Sequence, residues 1–321
     1  MILDKYKKPI ITIGITSFNE GEWLRDCWES VLAQTDHRWE AVLVLDGGAD
    51  NITKNIFSAI SHPKLRKFEM PSNKGPYPTR NKAFELTETP YHFYLDGDDQ
   101  LLPNTIASVL DTFDKYPEAG FVYGDMEYFG TINCIVRIPH HVTAEDFIVS
   151  QPIPGPACAY KKREWLELGG YSSELSRGNG DYDFHISLYE KGITGLHSEK
   201  IIYRYRVGNL GKISSSYNRI YHQTHEIMVK KHPYFFKNIE KQNLFLAYAY
   251  KRSAIANFLA EDMESANKYA NKAINLGLKS DNWVNAVRYS TNFPTFLVIF
   301  LKRMLLPCYR AIRQLTKPTS I

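Results

Sequence analysis

The 321-residue chain predicts an α/β fold: a largely parallel sheet flanked by helices and followed by a helical C-terminal region. Through the first ~125 residues, short apolar runs alternate with stretches of helical periodicity, the pattern of βαβ units. The polar motifs of that span fall just past the ends of the apolar runs, the edge at which open α/β sheets bind ligands. From about Asn209 the alternation stops, and small and apolar residues recur at helical spacing alone.

Ile10 to Ile15 reads as strand one, and Leu24, Cys27, Trp28, Val31 and Leu32 share one face of a first helix. Ala41 to Leu45 is strand two, Leu65 to Met70 a third, Thr79 to Leu86 a helix and Tyr91 to Leu95 a fourth strand. Pro103 to Tyr116 is a helix with Pro103 in its first turn, where the missing N–H costs nothing. Phe121-Val122-Tyr123 is another buried strand.

Between Leu244 and Leu278, alanines 247, 249, 254, 256, 266, 270 and 273 suggest one tetratricopeptide-like helix pair. A lone pair cannot bury its face, so packing on the α/β unit is expected. Further on, Phe296 to Leu301 precedes Lys302-Arg303, within a stretch from Arg288 to Ile321 that has six Lys or Arg and no acid. Such a segment, 290–321, reads either as an interfacial membrane anchor or as a buried terminal helix.

The formal net charge of +4 does not imply nucleic acid. Four cysteines form no C-x-x-C pair, which argues against a zinc ribbon or disulfide framework and for a reducing, cytoplasmic setting. Lys5, Lys7 and Lys8 lead into an apolar run too short for a signal peptide, and no stretch reaches the ~20 apolar residues of a membrane span. Action in the cytoplasm, or at the cytoplasmic face of a membrane, is the expectation.

Leu95-Asp96-Gly97-Asp98-Asp99 carries the most chemical information. Three carboxylates within four positions end an apolar strand and call for a hard cation, Mg²⁺ or Mn²⁺, of the kind that keeps open positions for substrate phosphates. An EF-hand is excluded, because its sixth and twelfth positions would be Leu101 and Ala107 instead of Gly and Glu. A plain Asp-Gly turn remains the alternative for the dipeptide alone.

Taken together, Ile15-Thr16-Ser17-Phe18-Asn19-Glu20, Asp46-Gly47 after strand two, Asn73-Lys74-Gly75 with Arg80-Asn81, and Leu95 to Asp99 resemble a family 2 glycosyltransferase of the GT-A fold. The match continues through Gly155, Arg163-Glu164, Gly169-Gly170-Tyr171 and Gly180 to Phe184. The resemblance implies a catalytic domain over 1–210, its nucleotide-sugar half about 1–126 and its acceptor half about 127–210, ahead of a helical region at 211–321. It implies an inverting enzyme that moves a sugar from a nucleoside-diphosphate donor, UDP-linked by preference, to an acceptor hydroxyl. The acceptor would be a saccharide or lipid-linked saccharide of surface polysaccharide or glycolipid synthesis.

By the same resemblance, Thr16, Phe18, Asn19, Glu20, Asp46 and Asn73 would meet the nucleotide. Asp46 would accept from a pyrimidine N–H, because a carboxylate only accepts. For Asn19 and Glu20, helix capping and dipole compensation are equally good readings. Arg80 would face the diphosphate or form a surface ion pair. Asp98 would hold Mg²⁺ or Mn²⁺ and Asp96 that metal or the ribose; Gly155 and Asp183 would lie on the acceptor side, and Asp99 would orient either of its acidic partners or serve the acceptor side. Asp181 falls where the general base is expected, which a sugar hydroxyl needs to become a nucleophile, although an Asp there would also suit a helix N-cap. Arg206 stands where relatives carry a late His, and could neutralise the departing diphosphate. His222 and His225 lack zincin spacing and read as packed or solvated.

Two rivals stay open. A sugar-1-phosphate nucleotidyltransferase would need a Gly-rich basic loop after strand one, which Ser17 to Glu20 is not. A non-catalytic carbohydrate-binding protein of the same fold would have little use for so full a set of carboxylates.

Overall fold

The computed structural model describes residues 8–176, 178–208 and 217–290. They form two compact units: one runs to Thr143 and resumes over Gln151–Gly208, the other takes Ala144–Ser150 and the described residues beyond Gly208. The short excursion at 144–150 was not legible as a break in the first unit.

Among the described residues, the first unit holds an eight-stranded sheet. Its strands are β1 (Ile11–Ser17), β2 (Trp39–Leu45), β3 (Leu65–Glu69), β4 (Tyr91–Asp96), β5 (Phe121–Gly130), β6 (Cys134–Val136), β7 (Cys158–Lys161) and β8 (Gly195–Val207). The order is β3-β2-β1-β4-β7-β5-β6, with β8 also on β5. The first four strands are mutually parallel, while β7 runs antiparallel to both β4 and β5. Every residue of β1 is buried, the near-continuous apolar character of a strand covered on both faces.

Register fixes the edge. Thr16 lies opposite Val44 on one side and Asp96 on the other, and Ser17 opposite Leu45. The loops after β1, β2 and β4 therefore open at one level of the sheet, as expected of an α/β ligand crevice.

Helix α1 (Trp23–Leu32) buries Leu24, Cys27, Trp28 and Val31, whereas Leu32 is 44% exposed and off the predicted face. Helix α2 (Asn51–Ala59) is an element that the sequence reading missed; the Asp50 side chain starts it by accepting from the Thr53 N–H at 2.7 Å. Helix α3 (Pro76–Glu85) begins ahead of the expected Thr79. Gly75 turns the chain into it at φ 84, a left-handed conformation that favours glycine. Helix α4 (Thr105–Lys115) starts after Pro103, whose carbonyl instead accepts from the Thr35 N–H at 2.9 Å. After α5 (Asp146–Val149) of the second unit come α6 (Lys162–Leu168) and α7 (Gly180–Glu190).

The second unit also contains α8 (Tyr221–Lys231), α9 (Ile239–Leu259), α10 (Met263–Asn275) and α11 (Asn282–Ser290). The alanine-lined pair is α9 and α10, packed through Ala247, Ala254, Ala266, Ala270 and Ala273 together with Val284 and Val287 of α11. Within its own unit, α11 thus covers part of the pair. His222 bonds Ser253 and His225 is buried against Phe245, so both are packed histidines. No helix among the described residues is long and apolar enough to cross a membrane. The apolar run Phe296 to Leu301 and its basic flank lie outside the described residues.

Candidate active site

The end of β4 gathers charge of one sign. Glu20, Asp96, Asp98 and Asp99 interact there, with Arg80 and Arg206 as the neighbouring cations. The members of this acidic group are not equivalent. Asp96 accepts from Arg80 Nη2 at both oxygens, 3.1 and 3.0 Å, and from Thr16 at 3.2 Å. Both oxygens are thereby engaged by one cation, so Asp96 and Asp98 are held differently. No side chain donates a hydrogen bond to the Asp98 carboxylate among the described residues; burial, then the charges of Asp96 and Glu20, push it up to about 7 against its own backbone N–H and the Arg206 charge. Asp99 is 1% exposed and accepts from the Tyr203 hydroxyl at 2.8 Å and the Arg206 N–H at 2.7 Å. It ties the β4 end to β8.

Arg206 is held as tightly. Its guanidinium lies over Trp23 and Phe129, with Nη2 on Asp26 at 3.0 Å and Nε on the Asp98 carbonyl at 2.7 Å. Most of its donors serve the protein. Arg80 is different: its Nε is buried with no hydrogen-bond partner among the described residues, and its charge is fixed against burial by Asp96.

The nucleotide-side residues form a second layer around the same edge. Asp46 is 4% exposed and accepts from the N–H groups of Gly47 at 3.1 Å, Lys74 at 2.8 Å and Gly75 at 2.9 Å. With about four lone pairs on a carboxylate, two hold the Asn73-Lys74-Gly75 loop to the end of β2 and a third takes the adjacent Gly47 N–H. A base contact would have to use the remainder. Asn73 in that loop is exposed. The Asn19 side-chain Oδ1 accepts from the Asp50 N–H at 2.8 Å, and Glu20 folds back onto Ser17 and the Phe18 N–H. Neither caps α1, whose N-cap is Glu22. Burial raises the Glu20 carboxyl against those two hydrogen bonds.

Asp181 sits in the first turn of α7, one residue after Gly180. Its Oδ1 accepts from the Tyr77 hydroxyl at 2.9 Å and its Oδ2 from Gln151 Nε2 at 2.8 Å. Burial opposes ionisation, but Gln151, the Arg80 charge and Tyr77 outweigh it and hold the carboxyl below the ordinary range. The N-cap of α7 is Asn179, not Asp181. A Cβ on Gly155 would lie 2.6 Å from Asp181 Oδ2, so the glycine expected on the acceptor side makes room for this carboxylate. Asp183 is 1% exposed on the buried side of α7.

Helix α3 joins the two acids. Arg80 reaches Asp96, Tyr77 reaches Asp181, and the Arg80 guanidinium lies 5.0 Å from the Tyr77 ring. Tyr77 and Gln151 were missed from sequence. For Tyr77 a signal existed, since it precedes Arg80 by three positions and so shares its helix face; Gln151 had none.

Residues 12–163 match the model of glycosyl transferase family 2. That stretch, just under half of the chain, carries the sequence of this family. The fold is also that of S. aureus TarS (residues 1–349, in complex with UDP-GlcNAc), with a TM-score of 0.65 at 16% identity over 88% of this chain and 84% of that one. A mannosyltransferase from Pyrobaculum calidifontis, in complex with GDP-Man and Mn²⁺, gives a TM-score of 0.57 at 16% identity, covering 94% and 88%. By sequence, a teichoic acid poly(glycerol phosphate) polymerase of Staphylococcus epidermidis is 33% identical over 33% of this chain and 15% of its own length. A putative teichuronic acid biosynthesis glycosyltransferase of Bacillus subtilis is 26% identical over 65% and 83%. This chain thus spans only a small part of the polymerase.

Proposed function

We propose that the first unit is an inverting glycosyltransferase that moves a sugar from a UDP-linked donor to a hydroxyl of a saccharide or lipid-linked saccharide, as in surface polysaccharide synthesis. The carrying observation is the pairing, through one helix, of Asp181 with a crowded carboxylate cluster at the end of β4. The neighbour that binds UDP-GlcNAc and the polymer-forming relatives support the donor and acceptor classes.

In this reading the donor lies across the loops after β1, β2 and β4. Remaining Asp46 lone pairs and the amide of Asn19 select the base, and Thr16, Phe18, Glu20 and Asn73 shape its seat. Arg80 offers unused N–H donors to the diphosphate. Arg206 braces the Asp98-Asp99 turn behind it. The cluster fits a divalent cation, because Asp98 sits among acidic neighbours with no side-chain hydrogen-bond donor to its carboxylate among the described residues. No group of three or more candidate ligands converges among the described residues, so a cation here would draw on donor phosphates, as Mg²⁺ and Mn²⁺ do. Asp98 would hold it, with Asp96 adding charge from beside it, and its chemistry would be to offset charge on the leaving diphosphate.

Asp181, kept ionised, takes the proton from the acceptor hydroxyl as that oxygen forms its bond to the anomeric carbon and the C–O bond to the diphosphate breaks. Asp183 and Gly155 stand behind it on the acceptor side. For the basic segment after Tyr289 we propose peripheral attachment to anionic membrane, each Lys or Arg contributing about 1 kcal/mol near the surface. The unpaired cysteine pattern supports a cytoplasmic setting.

Thermal shift with UDP-, GDP- and dTDP-sugars, with and without Mn²⁺, tests the donor class, and NMR of the product's anomeric configuration tests inversion. Stabilisation by UDP and an inverted product are expected. Retention, or release of pyrophosphate in place of UDP, contradicts the reading.

A further inference from the structure

We propose that Tyr77 is the positioning residue that orients the carboxylate of Asp181 toward the acceptor, an inference that rests on the reading of Asp181 as the base. Tyr77 is 7% exposed and donates its hydroxyl to Asp181 Oδ1 at 2.9 Å, while Gln151 donates to Oδ2 at 2.8 Å. An ionised carboxylate only accepts, with about two lone pairs on each oxygen. Each oxygen therefore keeps a lone pair for an incoming hydroxyl, in a direction set by the two donors.

The space around this contact is made by two glycines. A Cβ on Gly180 would come within 2.7 Å of the Tyr77 ring, and one on Gly155 within 2.6 Å of Asp181 Oδ2. The ring is also gripped from its other sides: Tyr171 meets it edge-on with centroids 5.1 Å apart, and the Arg80 guanidinium stacks at 5.0 Å. Because Arg80 is itself paired with Asp96, Tyr77 has little freedom to swing. A hydroxyl on a ring so confined holds its partner in one orientation, which is where catalytic geometry gains most.

The titratable groups facing Asp181 are Tyr77 and Arg80 on α3, Cys158 and Tyr160 on β7, Tyr171 beyond α6, and His185 on its own helix. Burial raises the phenols and the thiol, and lowers His185 to about 4. Near neutral pH, Arg80 and Asp181 are the charged members of this set, and Tyr77 remains a donor.

Tyr77→Phe removes one oxygen and keeps the ring. Expected is a kcat about tenfold lower with donor KM within about twofold, and a mutant-to-wild-type kcat ratio that falls further from pH 7 to pH 5. The sign follows because loss of a donor raises the Asp181 pKa, so protonation intrudes at higher pH. Gly180→Ala keeps the hydroxyl but displaces the ring, and is expected to shift kcat and the pH ratio the same way, with the double variant no worse than Tyr77→Phe. It also serves as the test if Tyr77→Phe folds poorly by circular dichroism. Asp181→Asn is run in parallel. If it is inactive while both other variants match wild type at every pH, the positioning role is overturned and the base stands. If Asp181→Asn retains wild-type turnover, the base reading falls and the role of Tyr77 with it.

Discussion

Asp98 and Asp181 are both carboxylates at the same edge of one sheet, yet their surroundings drive them in opposite directions. Asp98 has acidic neighbours and no side-chain hydrogen-bond donor to its carboxylate among the described residues, and is pushed up to about 7 by burial and like charge. Asp181 is also buried, but two side-chain donors and the Arg80 cation keep it below the ordinary carboxylate range. One environment asks for a cation from outside; the other has already been neutralised from within. Residue type alone does not assign the roles, and the separation of the two environments does.

The largest effect should come from the acid that is already satisfied. Asp181→Asn is expected to reduce kcat by roughly a hundredfold or more, the range of a lost general base, as read by steady-state UDP release. Asp183→Asn should be milder in the same assay, and the reverse ranking would move the base to Asp183. Asp98→Asn should lower turnover by at least about tenfold and flatten its response to a Mn²⁺ titration. Activity indifferent to Mn²⁺ in the wild type would remove the cation from the account.

Arg80 touches both sides, so its loss should blur the comparison. Arg80→Met leaves Asp96 without its cation partner and is expected to lower stability by about 3 kcal/mol, measured by urea unfolding, while raising donor KM.

Acidity sharpens the contrast further. The Asp98 carboxyl, raised from 3.8 to about 7 in the folded protein, keeps its proton through that window while the unfolded chain has lost it. Stability of the metal-free protein should therefore fall as pH climbs from 3.8 through 7. The Tm gain from Mn²⁺ should be larger at pH 8 than at pH 6, and Asp98→Asn should remove that difference. The core behaves with the opposite sign: burial lowers His92 from 6.5 to about 3, so the unfolded chain binds the proton first and stability drops as pH falls across that interval. His92→Gln should flatten this acid limb of the unfolding free energy, with kcat at neutral pH within about twofold.

Much of the first unit was legible because parallel strands covered on both faces read as nearly continuous apolar runs, as the buried stretches of β1, β2 and β4 largely do. Motifs just beyond such strands then fall on one edge, which is why Thr16, Asp46 and Asp96 could be grouped before any geometry was known. The antiparallel β7 was not legible, since a four-residue strand carries too little periodicity to show its direction. Helix α2 hid behind the Asp46 to Asp50 loop, its start set by one side-chain cap. The partners of each carboxylate were the least legible of all. Arg80 meets Asp96 from sixteen positions away and Tyr77 meets Asp181 from 104 positions away, contacts that only the packing of α3 and α7 creates. For the same reason the backbone N–H groups that Asp46 and Asp99 hold could not be read from sequence.

The most direct test of this division is calorimetric titration of UDP, with Mn²⁺ present, into Asp181→Asn and Asp98→Asn side by side. The account predicts an affinity within about twofold of wild type for the first and at least about tenfold weaker for the second. Equal loss in both, or tight binding in Asp98→Asn with weak binding in Asp181→Asn, would contradict it.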